Sequence, residues 1–179
     1  MKKYLSFLAS VLLACLATAQ SSYTPVAASS KVHFVIKNFG IKTGGDFSGL
    51  KGTIKFDHEK FSSSVFDVTV DANTINTDNE SRDGHLRKAE YFDVATYKTI
   101  HFKSTKITRS STAGRFYVFG ELTIKGVTKP VQFGFGATPK DGGYVFDGEF
   151  TINRRNFGVG GGSVSMSDYL TVALSVFAK

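Results

Sequence analysis

The 179-residue chain carries 22 Lys and Arg against 15 Asp and Glu, a formal net charge of +7. Its length suits one domain plus a targeting segment, and its basic residues are scattered among acids, which argues against nucleic-acid binding because that needs a concentrated basic face. The single cysteine, Cys15, excludes an internal disulfide, so stability has to come from the core.

Residues 1–20 have the anatomy of a secretory signal peptide. Lys2 and Lys3 form a basic start, Tyr4 to Leu16 an apolar run relieved by Ser6 and Ser10, and Ala17-Thr18-Ala19 a small-residue cleavage site. The run falls short of the about 20 apolar residues that a membrane-spanning helix needs. Leu12-Leu13-Ala14-Cys15 also fits a lipobox, which would leave Cys15 lipid-anchored; the large Leu13 and the intact site beyond it favour simple cleavage. The expected product is residues 21–179 as a single domain, periplasmic or secreted, with a charge of +5 from 20 basic and 15 acidic residues. That charge would draw it weakly to anionic headgroups, so a transient contact with a membrane surface is expected. A monomer and a homodimer are both compatible with the pattern.

After a small, polar start, apolar and polar residues alternate through most of the chain. Val32, Phe34 and Ile36 share one face of a first strand, Asn38-Phe39-Gly40 breaks it, and Gly44-Gly45 marks a bend or bulge. Leu50 to Phe56 and Ser64 to Ala72 repeat the alternation. Beyond a polar stretch, Ile100 and Phe102 open a fourth strand, and Arg115 to Ile124 is the clearest of all. Val131 to Phe135 follows with Pro130 at its start, then Tyr144 to Asn153 and Leu170 to Ala178. About eight such strands joined by short turns predict an antiparallel sandwich or up-and-down barrel. Gly52, Gly120 and Gly148 inside strands suit the bends of a barrel. Eight strands enclose an interior that is just filled or holds one ligand. A ten-residue strand reaches roughly 33 Å at about 3.3 Å per residue, enough to sheathe a long hydrocarbon chain.

The polar stretch, Thr77 to Asp93, predicts the one helix. Thr77 and Glu80 have capping-box spacing, and Asp78 with Arg82 and Asp83 with Arg87 have the favourable four-residue spacing of acid before base. Its apolar side, Leu86, Ala89 and Phe92, is too thin for a core helix, so the helix is expected to lie across one end or face of the barrel. Arg82, His85 and Arg87, with Lys88 beside them, could meet a polar or pyrophosphate head. Asp78, Asp83 and Glu90 are near enough to neutralise them locally, and Asp83 and His85 are expected to dock the helix on the rim.

The anomaly of composition is aromatic: 17 Phe, 7 Tyr and no Trp, with only Phe7 among the Phe lying in the first 20 residues. Alternation turns nine of the Phe inward. Phe34, Phe56 and Phe66 fall on the first three strands, Phe102 and Phe116 on the next two, and Phe133, Phe135, Phe146 and Phe150 on the strands that follow. Singly each reads as ordinary core; together they are the candidate ligand-binding residues of a lined apolar tunnel.

Catalytic and metal chemistry find little support. His33, His58, His85 and His101 show neither H-x-H nor H-E-x-x-H spacing. No G-x-S-x-G elbow surrounds Ser163 or Ser165, and Gly158 to Gly162 lacks the lysine and helix of a phosphate cradle. Arg154 and Arg155 are expected to be solvated. The expectation is a binding protein, not an enzyme, with no metal and no cofactor.

Four ordered segments resemble the YceI-like family. They are Arg82-Asp83-Gly84-His85-Leu86-Arg87 with Tyr91-Phe92-Asp93; Asn38-Phe39-Gly40-Ile41 with Gly45-Asp46-Phe47-Ser48-Gly49; Gly120 to Val131; and Arg155-Asn156-Phe157-Gly158. Asn38 stands where many members carry His. The resemblance implies an elongated, lipocalin-like, eight-stranded antiparallel β-barrel with one short helix over an end or face. It further implies an isoprenoid ligand, polyprenyl or quinone-like, or another long-chain lipid, held for transport, storage or stress response. Two other readings stand beside it: a filled barrel acting as a stress or interaction protein without ligand, and a hydrolytic enzyme built on His85, Asp83 and Arg82.

Overall fold

Period-two alternation becomes strand along nearly the whole chain. The computed structural model describes residues 21–179, and the expected signal peptide lies outside the described residues. In chain order the elements are β1 (Ser22–Tyr23), β2 (Lys31–Asn38), β3 (Ile41–Phe47), β4 (Lys51–Lys55), β5 (Val65–Asp71), α1 (Glu80–Leu86), β6 (Thr99–Arg109), β7 (Arg115–Ile124), β8 (Val127–Lys140), β9 (Gly143–Asn153) and β10 (Met166–Ala178). All strands join one sheet in the order β1-β4-β5-β6-β7-β8-β9-β10-β2-β3. Every neighbouring pair is antiparallel.

The sheet has ten strands, not eight. The additions are β1 and β3. β3 hides in the sequence because Gly44 and Gly45 replace its alternating side chains. Gly45 has to be small: a Cβ there would lie 2.6 Å from the Phe34 ring. The Phe39-Gly40 break is a two-residue hairpin turn with φ of +49° and +76°, the sign of the turns that match strand twist. It sets the β2–β3 register from Val32 opposite Phe47 to Asn38 opposite Ile41. Pro130 lies inside β8, not at its start. There β8 pairs with β7 alone, since its pairing with β9 begins at Phe135, and a strand free on one side tolerates a missing donor.

The curl is tied at two places. Ser22 and Tyr23 pair with β4, and the chain then crosses to β10, where Thr24 N donates to Lys179 O at 2.9 Å and Val26 N to Phe177 O at 2.8 Å. At the other edge Asp46 of β3 exchanges backbone hydrogen bonds of 2.8 and 3.0 Å with Asn76, beyond β5.

The inward faces divide along the barrel axis. At the end nearer β1, Phe56 is 1% exposed and sits edge-on among Phe116, Phe135, Phe146 and Tyr144 at centroid distances of 5.2 to 6.2 Å, with Phe66 tilted against it. Val118 and Ile107 complete this aromatic plug. Edge-to-face contacts add about 0.5–1.5 kcal/mol each beyond area burial. At the other end Leu122, Ile124, Ile152, Phe157 and Val159 form a second, thinner cluster.

On the outer face, Asp67 of β5 accepts a 2.7 Å hydrogen bond from His101 Nε2 of β6 and lies 3.5 Å from Lys103 Nζ. The His101 hydrogen bond, helped by the charges of His101 and Lys103 and opposed by partial desolvation, holds the Asp67 carboxyl below its ordinary value. A carboxyl with a depressed folded pKa binds its proton more weakly in the folded state. Its stabilisation is therefore present above the unfolded value and is lost as pH falls through the folded one.

Two outcomes are expected. Phe56→Ala should lower unfolding stability by about 3–5 kcal/mol, read by denaturant titration. Thermal melting should fall as pH drops below about 4, and Asp67→Asn should flatten that slope.

Candidate functional site

Beyond the aromatic plug the same strands carry smaller or better-spaced side chains, and an apolar cavity of about 230 Å³ opens. A single water needs only about 10–15 Å³ counted this way, so the space would hold many waters but offers them few partners. Val32, Phe34 and Ile36 of β2, Val68 and Val70 of β5, and Ile100 and Phe102 of β6 form one wall. Leu122, Phe133, Phe150, Leu170 and Val172, from β7 to β10, form the opposite one. Phe133 and Phe150 are stacked at 4.5 Å, and Phe102 leans on Phe133 at 5.7 Å. Gly120 makes this packing possible, since a Cβ there would lie 2.5 Å from Lys103 O and 2.6 Å from the Phe102 ring.

The nine inward phenylalanines therefore separate into two groups. Phe34, Phe102, Phe133 and Phe150 line the cavity. Phe56, Phe66, Phe116, Phe135 and Phe146 do not; they pack against one another in the plug that closes its far end. Alternation assigns a face but not a depth along the barrel, so the two groups look alike in sequence.

The mouth is built by the segment around α1 and by the chain from 154 to 166. The helix covers Glu80–Leu86 and is capped by Asn79, whose side chain accepts from Arg82 N at 2.9 Å. Thr77 is thus not half of a capping box. It is buried, and its N–H and hydroxyl both donate to Asp83 Oδ1. The expected helical ion pairs are replaced as well. Arg82 donates from Nε to Thr77 Oγ1 at 2.7 Å and from its terminal nitrogen to Thr77 O, while Arg87 donates to the carbonyls of Asn73 and Ile75 at 2.9 and 2.8 Å. Buried Asp83 thus ties the helix to the chain that leads into it and not directly to a strand of the rim, whereas His85 is exposed and packs on the Tyr91 ring at 4.9 Å. Phe92 seats the segment on Phe47 of β3 at 5.4 Å, and Phe47 in turn meets Phe34 at 5.7 Å.

Of the three expected headgroup residues, only Arg82 reaches the cavity; His85 and Arg87 are not on its wall. A second arginine does line it. Arg154, expected to be solvated, is 3% exposed. Its guanidinium donates to Ser167 O at 3.0 Å, Val159 O at 2.8 Å and Asp168 Oδ1 at 3.2 Å. Arg155 is the exposed member of the pair and meets the other oxygen of Asp168 at 3.3 Å. Adjacent identical residues gave no signal for which one turns inward.

The hydrolytic constellation is not assembled. Asp83 Oδ1 is taken up by Thr77, and no hydrogen bond joins it to His85 among the described residues. His33 and His101 each bond a single aspartate, Asp46 and Asp67, and His58 packs on Phe116. Among the described residues no three His, Cys, Asp or Glu side chains converge on a metal position.

The molecule is a curled antiparallel sheet, plugged at one end and enclosing an apolar cavity under a short helix. The model of the YceI-like domain matches residues 23–178, and the chain belongs to that family. A UPF0312 protein of Staphylococcus aureus is 32% identical over 149 residues, 78% of this chain and 82% of its own. Burkholderia cenocepacia BcnA superposes with a TM-score of 0.82 at 26% identity, covering 87% of this chain and 99% of that one. A Saccharophagus degradans domain described as polyisoprenoid-binding, and implicated in plant cell wall breakdown, superposes with a TM-score of 0.70 at 16% identity. It covers 88% of this chain and 97% of its own, a likeness of fold.

Asp83→Ala should cost about 1–3 kcal/mol, the range for a buried hydrogen-bonding group left without its partner. It should also raise hydrogen exchange across residues 77–92 more than in the β7–β8 hairpin. Equal loosening of both regions would show that Asp83 has no local role at the mouth.

Proposed function

We propose that this protein is an exported carrier or store for an isoprenoid or another long-chain lipid, held in the apolar cavity. The observation that carries the reading is the cavity itself: side chains from eight strands and the α1 segment line it, most of them apolar, and the Phe plug closes its inner end. Affinity would come from burying hydrocarbon, at about 25 cal/mol per Å² of apolar surface, with the polar head left at the mouth near Arg82. The fold shared with a domain described as polyisoprenoid-binding supports an isoprenoid as the first ligand to test. Export rests on the signal-like residues 1–20. A filled barrel without ligand fits less well, because the cavity has room that no side chain occupies.

Native mass spectrometry of the protein recovered from its own cells, followed by organic extraction, tests the cargo and shows from the intact mass whether residues 1–20 have been removed. A long-chain adduct at one per chain is expected. A clean apo mass, together with no rise in the fluorescence of added parinaric acid, would overturn the reading. Val172→Trp, which fills the cavity from β10, should weaken parinaric acid uptake roughly ten-fold, the scale of a blocked apolar contact surface, with the melting temperature little changed.

A further inference from the structure

A lipid cargo has to leave one membrane and enter another, and one rim of the mouth is built for that contact. Phe39 and Ile41, at the tip of the β2–β3 hairpin, are 80% and 71% exposed, and Val164 in the neighbouring loop is fully exposed. The three belong to one surface: Phe39 N donates to Ser165 O at 2.7 Å, and Asn38 pairs with Met166, both of which line or border the cavity mouth. Single exposed apolar residues are ordinary, but clustered ones mark contact sites. Phe39 is also an unlikely choice for its backbone. It holds the first central position of a two-residue turn at φ +49°, where Asn, Asp or Gly fits without strain. A large aromatic kept in that position points to a use for the exposed ring.

The charges carried by the two segments of the tip have one sign, with Glu90 the acid that packs on the loop through Gly160. Lys37 and Lys42 face each other across the hairpin directly below Phe39 and Ile41, and both are exposed. No acidic residue occurs from 37 to 45 or from 158 to 167. The nearest carboxylates on these two segments are Asp46, bonded to His33 and Lys31, and Asp168, paired with Arg154 and Arg155. Apolar tips above a lysine collar match an anionic bilayer, whose interface takes aromatic and aliphatic side chains while its headgroups attract the cations.

We infer that the β2–β3 hairpin tip, with Val164 beside it, docks the cavity mouth onto the surface of anionic membranes. The inference rests on the cargo reading for its purpose only; docking is measured separately from cavity occupancy. Insertion of the tip places Ile36, Asn38 and Met166, which line the mouth, at the headgroup level, so a hydrocarbon chain can pass between bilayer and cavity without crossing bulk water.

The chain has no tryptophan, so Phe39→Trp in the full chain installs a single reporter. Added vesicles of phosphatidylcholine with about a third phosphatidylglycerol should shift its emission to the blue, and the shift should shrink with phosphatidylcholine alone or at high salt. Tyr117→Trp, on the outer wall of β7, should not shift. Phe39→Ser with Ile41→Ser, and separately Lys37→Glu with Lys42→Glu, should lower vesicle partitioning roughly ten-fold, with parinaric acid still bound in the cavity. No shift for Phe39→Trp, or an equal shift for Tyr117→Trp, overturns the inference. So does a blue shift that follows protein concentration without vesicles, which would make the tip a self-association surface. Docking that persists in a protein whose cavity takes up no lipid would uphold the inference and remove the cargo reading instead.

Discussion

The packing of Phe56 against five other aromatic rings is the contact on which the rest of the molecule depends. A curled sheet has an interior of roughly constant width, and its inward side chains decide how much of that width stays empty. At the plugged end Phe56, just past β4, meets a phenylalanine from each of β5, β7, β8 and β9, and rings meeting edge to face fill the bore. The plug does more than stabilise the protein. It fixes the spacing of strands from both halves of the sheet, and it gives the cavity a floor. Without that floor the same strands would form a tube open at both ends, and hydrocarbon held inside would be wetted from below.

The mouth is held by a different kind of force. A seven-residue helix has little stability of its own. The segment is also pinned by polar bonds, some of them buried: Asp83 on Thr77, Arg82 on Thr77, Arg87 on the carbonyls that follow β5, and Arg154 on Asp168 and two carbonyls. Such bonds are directional and expensive to leave unmade, so they set the position of the covering segment where packing alone would let it slide. Apolar contacts join this network to the sheet: Phe92 meets Phe47, and Tyr91 and Phe92 pack on the cluster of Leu122, Ile124 and Ile152.

Most strands were legible because the alternation of apolar and polar residues is unbroken in them, β7 above all. β3 was not, since its inward positions are partly glycine and its neighbour Phe34 supplies the missing volume; a strand read by its own side chains disappears when a partner strand fills its face. β1 is two residues long and takes its identity from what it pairs with. The helix was legible in place but not in its bonds. Thr77, Glu80, Asp83 and Arg87 have spacings that suit a capping box and an ion pair, yet the chain before the helix offered backbone carbonyls and a hydroxyl, and those partners prevailed over the ones within the helix. The phenylalanines were legible as inward and illegible in depth, because position along a barrel depends on strand stagger, which alternation does not encode.

The saturation of the two cavity arginines bears on what the site can select. Arg154 already has an acceptor for each of its three nitrogens, and Arg82 gives two of its nitrogens to Thr77. Neither is an unpaired buried charge that would demand an anion from a ligand. If the cargo is the proposed long-chain lipid, its head would gain little by entering deeper than the rim, while each methylene of its tail would gain by moving toward the plug. Selection in such a site follows the length, width and flexibility of a hydrocarbon chain more than the chemistry of its head. A site that reads a chain in this way separates close homologues only weakly, since a single methylene changes binding by about 0.8 kcal/mol.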